Sequence, residues 1–185
     1  MSPPTTNTTS GSDSYYDDMA QGYNQLHGSE QMEKLLLTVK RLKQLKLDTF
    51  TKQTTVLDVG CGTGISSDFW VDQFGAQVTG IDPSSQLIAQ NNSHKSKFLV
   101  ASAEQLPFAD NAFDLVVSFS AIHNFADFRK GLLQMNRVAK DFMIITVLNK
   151  AQHSPQICAT ISQSFQVVGT FAANQDTLFI LKKKL

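Results

Sequence analysis

The chain reads as an α/β protein built on a doubly wound, mostly parallel sheet. Three observations predict this. The run Thr55-Val56-Leu57-Asp58-Val59 is mostly apolar, as a strand covered on both faces must be, and breaks into alternating glycines at Gly60, Gly62 and Gly64. Further runs of that kind alternate with segments of helical periodicity. The last two runs follow one another with only a short turn between them, which predicts a closing hairpin.

The elements follow in order. Met1 to Ser14 is Ser, Thr, Pro, Gly and Asn with little to bury and predicts a disordered tail, leaving 15–185 as one domain. Tyr15 to Tyr23 gathers all three tyrosines. From Glu30 to Leu47, the residues Met32, Leu35, Leu36, Val39, Leu42 and Leu45 recur at helical spacing with lysines and Arg41 between them, predicting an amphipathic helix on one face of the sheet. The first strand ends at Gly60, and Ile65 to Phe74 opens a helix behind the glycines. Gln77 to Ile81 reads as the second strand and Pro83 to Asn91 as a helix with proline at its first position. Lys97 to Ala101 gives a third strand; Glu104 to Asn111 is too short and turn-rich for a helix. Phe113 to Phe119 is a central fourth strand, Phe128 to Ala139 a helix and Phe142 to Leu148 a fifth strand. Ser154 to Ser164 is helical, and Phe165 to Phe171 with Thr177 to Leu181 form the hairpin, which places one antiparallel strand in the sheet.

Composition excludes several functions. Sixteen basic residues balance sixteen acidic ones, so no overall field draws the chain to nucleic acid or an anionic surface. The run Lys182-Lys183-Lys184 reads as a solvated chain end. Cys61 and Cys158 make neither a metal spacing nor a disulfide framework, which points to a reducing cytoplasm and no metal. No apolar run is long enough to span a bilayer, and the N-terminus lacks a basic segment followed by an apolar one, so neither membrane insertion nor secretion is expected.

The glycine corner carries the first chemical signal. Glycine reaches positive φ without strain and lets a ligand approach the backbone, while the helix behind it adds a partial positive charge. The spacing G-x-G-x-G departs from the dinucleotide pattern G-x-G-x-x-G, and no lysine follows Gly64 as a phosphate loop requires. Asp82, ending the second strand, is placed either to accept a pair of ribose hydroxyls or to cap the helix at Pro83.

The run from Thr55 to Gly64 resembles motif I of the class I S-adenosylmethionine-dependent methyltransferases, in the form usual for the type 11 group that includes quinone-biosynthesis enzymes. The resemblance continues through Gly80-Ile81-Asp82-Pro83-Ser84, Ala103-Glu104-Gln105-Leu106-Pro107-Phe108, Phe113-Asp114-Leu115-Val116-Val117-Ser118 and Arg137-Val138-Ala139-Lys140, and spans roughly Tyr15 to Leu148. It implies a Rossmann-like, seven-stranded sheet with an antiparallel C-terminal hairpin strand, and S-adenosylmethionine as cofactor. Tyr16, Asp17, Ala20 and Tyr23 match a Y-D-x-x-A-x-x-Y segment that folds over the cofactor in this group.

On that resemblance Tyr16 and Tyr23 cover the cofactor, and Gly60 and Gly62 let the backbone approach its amino-acid and ribose portions. Asp58 orients the turn or binds the amino group through water, Asp82 takes the ribose, and Cys61 and Pro83 border the cofactor beside them. The family often has an acidic residue after the third strand for the adenine amino group. This chain has Ser102 there, followed by Ala103 and Glu104, so a Ser102 hydroxyl, an Ala103 N–H or a Glu104 carboxylate is left to replace it. Ser118, Phe119 and Ser120 should line the opening where donor meets acceptor, and His123 is the candidate base because its intrinsic pKa suits proton transfer near neutrality. Lys140 runs directly into Asp141 where the family has a Pro-Gly-Gly turn. No Asn-Pro-Pro-Tyr tetrapeptide follows the fourth strand, so amide and base-amino acceptors are not indicated. With no inserted cap, the acceptor site is open, or is completed by an activating subunit. The expected activity is methyl transfer to a small molecule, with RNA or protein methylation with a partner, or a cofactor-binding scaffold, as alternatives.

Overall fold

The computed structural model describes residues 23–92 and 94–183, with side chains from residue 28 onward. The predicted tail and the segment 15–22 lie outside the described residues.

Helix α1 (Tyr23–Gln44) precedes strand β1 (Thr55–Val59), helix α2 (Ile65–Phe74), strand β2 (Gln77–Asp82), the short helix α3 (Ser85–Ile88) and strand β3 (Lys97–Val100). Strand β4 (Phe113–Ser118), a 3-10 turn at Ile122–Asn124, helix α4 (Phe128–Val138), strand β5 (Ala139–Leu148), helix α5 (Ser154–Ser164) and the hairpin β6 (Gln166–Ala173) and β7 (Asp176–Lys182) complete the chain. The seven strands lie in the order β3-β2-β1-β4-β5-β7-β6. The pairs from β3 to β5 are parallel, and β7 is antiparallel to both β5 and β6. The expected doubly wound sheet with its antiparallel hairpin strand is therefore present.

Two apolar layers cover the sheet. Alternate residues of the central strands face opposite sides. Leu57, Val59, Val116, Met143 and Ile145 pack with Leu132 and Met135 of α4 and Ile157 and Ile161 of α5. Val56, Leu115, Val117, Ile144 and Ile180 pack with Leu35, Val39 and Leu42 of α1 and with Phe69 and Trp70 of α2. Trp70 is fully buried, stacked on Phe74 and edge-on to Phe50 and Phe69.

Several boundaries depart from the sequence reading. Helix α1 begins at Tyr23 rather than Glu30 and ends earlier, where Lys46 adopts φ 56° and Leu47 N–H returns to Leu42 C=O at 2.9 Å. Helix α3 is four residues long, and its cap is Ser84, whose hydroxyl accepts the Leu87 N–H at 3.2 Å; Pro83 stands outside it. After Ile88 the chain closes in tighter turns, with Asn91 N–H on Ile88 C=O, so the predicted helix to Asn91 does not form. Strand β5 starts at Ala139, straight out of α4, because no glycine turn separates them; an irregularity in the β4 pairing between Phe113 and Leu115 absorbs the tight approach.

Candidate functional site

The strand order reverses at β1, which has β2 on one side and β4 on the other, and ligands of open α/β sheets lie beyond the carboxyl ends of strands at such a point. An open cleft occupies that position. Gly60 and Gly62 after β1 line it, with Asp82, Pro83, Ser84 and Leu87 after β2, and Ala101 to Glu104 after β3. Phe119, Ser120 and Ala121 after β4, and Asn124, Phe125 and Ala126 beyond the 3-10 turn, make the opposite wall. A smaller space adjoins it, lined by Gln31, Asp58, Gly60, Cys61, Thr63, Ile65, Ser66 and Phe119. Gly60 and Phe119 border both.

The glycine corner has positive φ at Gly60 (74°), Gly62 (55°) and Gly64 (88°). Its N–H groups are turned inward. Those of Gly60 and Cys61 donate to Ile81 C=O at 2.8 and 2.9 Å, that of Gly62 to Asp82 Oδ2 at 2.9 Å and that of Gly64 to Cys61 C=O at 2.9 Å. The corner therefore offers a ligand bare backbone rather than free donors at these four positions. A Cβ on Gly60 would sit 2.4 Å from Ala121 Cβ, so the absence of a side chain there admits the opposite wall.

Asp82 is buried at the cleft floor. Its Oδ2 accepts the Gly62 N–H and its Oδ1 accepts the Ser84 N–H, both at 2.9 Å. Asp58 is buried as well and accepts the Ser67 hydroxyl on Oδ2 at 2.7 Å. Burial pushes its carboxyl up to about 7 despite the Ser67 and Ser66 hydroxyls, which favour the ionised form; the negative charges of Asp82 and Asp68 add to the rise. Asp58 Oδ1 and Ser66 Oγ have no aligned hydrogen-bond partner among the described residues, and both residues border the smaller space. A buried carboxylate with a hydroxyl beside it, neither oxygen aligned on another protein group, fits an ammonium group.

The remaining predicted residues divide. Ser102, Ala103 and Glu104 line the cleft together. The Ser102 hydroxyl donates to Glu104 Oε2, and Glu104 Oε1 accepts the Asp127 N–H at 3.1 Å, so this pair is committed to holding the loop to the start of α4. Phe119 and Ser120 line the wall as expected, but Ser118 is fully buried and borders neither space, since its side chain points into the sheet layer from the last position of β4. Cys61 is buried beside Gly80, and desolvation pushes its thiol well above the ordinary value, leaving an inert small side chain. His123 is half-buried and borders neither space; burial lowers its pKa, the Asp176 charge opposes this and the Lys34 charge adds to it. Its neighbour Asn124 lines the cleft instead. Tyr16 and the Tyr23 ring lie outside the described residues. Sequence reasoning missed Leu87, Phe125 and Ala126, whose only signal was their nearness to the motif residues. Among the described residues no group of His, Cys, Asp and Glu could hold a metal, and no helix is long and apolar enough to cross a membrane.

An open sheet of this strand order, with a bare corner after β1 and a carboxylate ending β2, defines the class I S-adenosylmethionine-dependent methyltransferase fold. A family model described as a methyltransferase domain matches residues 57–142. Malonyl-[acyl-carrier protein] O-methyltransferase of Buchnera aphidicola is 32% identical over 145 residues, which are 75% of this chain and 58% of that protein. Demethylmenaquinone methyltransferase of Chlorobaculum tepidum is 30% identical over 132 residues, 68% of this chain and 53% of that protein. The chain spans about half the length of the curated relatives it matches. Among solved structures, a Haloferax volcanii methyltransferase in complex with the Trm112 methyltransferase activator superposes with TM-score 0.74 at 16% identity, covering 97% of this chain and 100% of that one. Magnesium protoporphyrin IX methyltransferase from Synechocystis with bound S-adenosylmethionine gives 0.73 at 15% identity, with coverage of 97% and 100%. Residues 57–142 thus match the type 11 methyltransferase family, and the chain as a whole has the class I methyltransferase fold.

Proposed function

We propose that this chain transfers a methyl group from S-adenosylmethionine to a small-molecule acceptor. The observation that carries the reading is the pair of spaces meeting at Gly60: a larger one floored by the Asp82 carboxylate and a smaller one bordered by Asp58 and Ser66. Such a cleft suits a ligand with a ribose at one end and an ammonium at the other. Asp82 is assigned to the ribose hydroxyls, Asp58 and Ser66 to the amino group, and Pro83, Leu87, Ala103 and Phe125 to the faces of the adenine. When bound, the cofactor supplies a sulfonium methyl group open to in-line displacement. The chain's own part is to hold the acceptor in line with that methyl and to exclude water, from which much of such a rate comes. His123, whose pKa burial lowers, borders neither space, so the geometry assigns it no proton transfer.

Small acceptors are favoured by the balanced charge of the chain and by the relative named for demethylmenaquinone. Calorimetric titration with S-adenosylmethionine tests the first half: no binding at millimolar concentration overturns the reading. Labelled cofactor with fractionated extract tests the second, small-molecule label supporting it and label in RNA or protein overturning it. Binding without turnover in any fraction favours the scaffold alternative.

A second reading, methylation of RNA or protein with an activating subunit, draws on the outer edge of β3, which no strand pairs among the described residues. Leu99 and Val100 are 44% and 60% exposed there, and a free strand edge is a template for pairing with another chain. The activator complex of the Haloferax structure is a precedent on the same fold.

A further inference from the structure

Outside the motifs, the chain buries an ion pair that joins its two ends. Lys34 of α1 is 2% exposed and Asp176, the first residue of β7, is fully buried; they pair at 3.1 Å across 142 residues of sequence. Lys34 Nζ also donates to Ser120 Oγ at 2.9 Å and to Glu30 Oε1 at 3.0 Å, using all three of its protons. The Ser120 hydroxyl in turn donates to Asp176 Oδ2 at 2.6 Å, and the Ser120 N–H donates to Thr146 Oγ1 of β5 at 2.7 Å.

Ser120 is where these bonds act. Its φ is 52°, a left-handed conformation that non-glycine residues seldom adopt and that persists where neighbouring contacts over-determine it. The residues on either side make the cleft wall. Phe119 borders both spaces, and Ala121 is seated over the bare backbone of Gly60. A buried ion pair contributes little net stability, because desolvation offsets its attraction, whereas it fixes geometry well.

We infer that Lys34 and Asp176 are positioning residues for the cofactor cleft, acting through Ser120, which they and Thr146 hold in the left-handed turn that sets Phe119 and Ala121 against Gly60. The inference rests on the cleft being the cofactor site. It ties the middle of α1 and the C-terminal hairpin to the binding apparatus, although neither Lys34 nor Asp176 falls in a recognised motif.

A second polar junction at the opposite end of the sheet supplies the control. Asp114 Oδ2 accepts the Thr55 N–H at 2.8 Å and the Thr55 hydroxyl at 2.7 Å, and its Oδ1 accepts Lys140 Nζ at 2.8 Å. That junction ties β1, β4 and β5 together at their starts and borders neither space.

The test compares Ser120→Ala, which leaves the Lys34–Asp176 pair intact, the double variant Lys34→Met with Asp176→Asn, and the control Thr55→Val. Titration with S-adenosylmethionine well below the melting temperature is expected to show about tenfold weaker binding for the first two and none of that loss for the control. Amide hydrogen exchange in the free protein is expected to quicken over 119–125 in the first two alone. Unchanged affinity and unchanged local exchange in Ser120→Ala, with only a lowered melting temperature, overturn the inference. If the wild-type chain itself binds no S-adenosylmethionine, the methyltransferase reading fails. Exchange over 119–125 then decides the positioning claim alone: faster exchange in Ser120→Ala supports it and unchanged exchange overturns it.

Discussion

Asp82 and Gly62 are joined directly, the carboxylate of the second strand accepting the N–H of the glycine corner at 2.9 Å, while the other oxygen accepts the Ser84 N–H at the same distance. One side chain thus closes the loops after β1 and β2 onto each other and still borders the cleft. The two roles weighed for Asp82, ribose acceptor and local cap, are not exclusive.

Asp82→Asn separates them from an inert position. An amide keeps the size but loses acceptors for one of the two N–H groups, so a cost of about 1–3 kcal/mol in stability is expected alongside a roughly tenfold or greater loss of affinity for S-adenosylmethionine. Thermal melts and calorimetry on the same sample read both. A variant that melts early but binds the cofactor as tightly as wild type makes Asp82 a purely structural residue.

Gly60→Ala is expected to be far more damaging than Gly75→Ala, although both positions have φ near 70°. At Gly75 the new Cβ meets only Lys52, in ordinary contact with its Cβ at 3.5 Å and its Cα at 3.8 Å, and the cost is backbone strain of about 1–2 kcal/mol. At Gly60 it meets Ala121 Cβ at 2.4 Å, adding an overpacking cost of about 1–3 kcal/mol and pushing the cleft wall outward. Urea unfolding of the two variants measures the difference, and equal costs show that the wall yields freely.

Replacing Leu99 and Val100 with lysine probes the exposed edge of β3. Side chains so exposed contribute little to the core, so stability is expected to change by less than about 0.5 kcal/mol per substitution and cofactor affinity not at all. Loss of an activating subunit from the variant, with turnover in isolation unchanged, identifies the edge as the docking strand. A sharp fall in stability instead makes it part of the fold.

What the sequence disclosed follows a physical divide. β1 and α2 fall where the apolar run and the glycines place them, because parallel strands and their following helices are set by local pattern. The hairpin was legible for the same reason, although Phe165 closes α5 instead of opening β6 and the turn is tighter than expected, with Asn174 and Gln175 alone between paired Ala173 and Asp176. Helix α3 was overdrawn because the competing cap at Ser84 and the turn at Asn91 depend on side-chain bonds that no periodicity records. Lys34 reads as a solvent-facing lysine of an amphipathic helix, since its partner stands 142 residues away and nothing local signals burial. Ser118 and Ser120 are indistinguishable by composition; the left-handed turn at Ser120 decides which one reaches the cleft.

Asp58 makes the affinity for cofactor depend on pH in a way that Asp82 does not. Its carboxyl, ordinarily near 3.8, is raised to about 7 by burial, so between those values the folded chain keeps a proton that the unfolded chain has lost. Stability of the free protein is therefore expected to fall as pH rises from about 4 to about 7 and to level off above, because the unfolded state binds fewer protons across that window. Cofactor affinity runs the other way. An ammonium at Oδ1 favours the ionised form, so binding strengthens from pH 6 to pH 8 and releases a proton, which calorimetry in buffers of different ionisation enthalpy detects directly. Asp58→Asn removes both slopes at once, flattening the stability profile and leaving weaker, pH-independent binding. If the affinity slope survives in Asp58→Asn, the ammonium is held elsewhere and the smaller space beside Gly60 is not its seat.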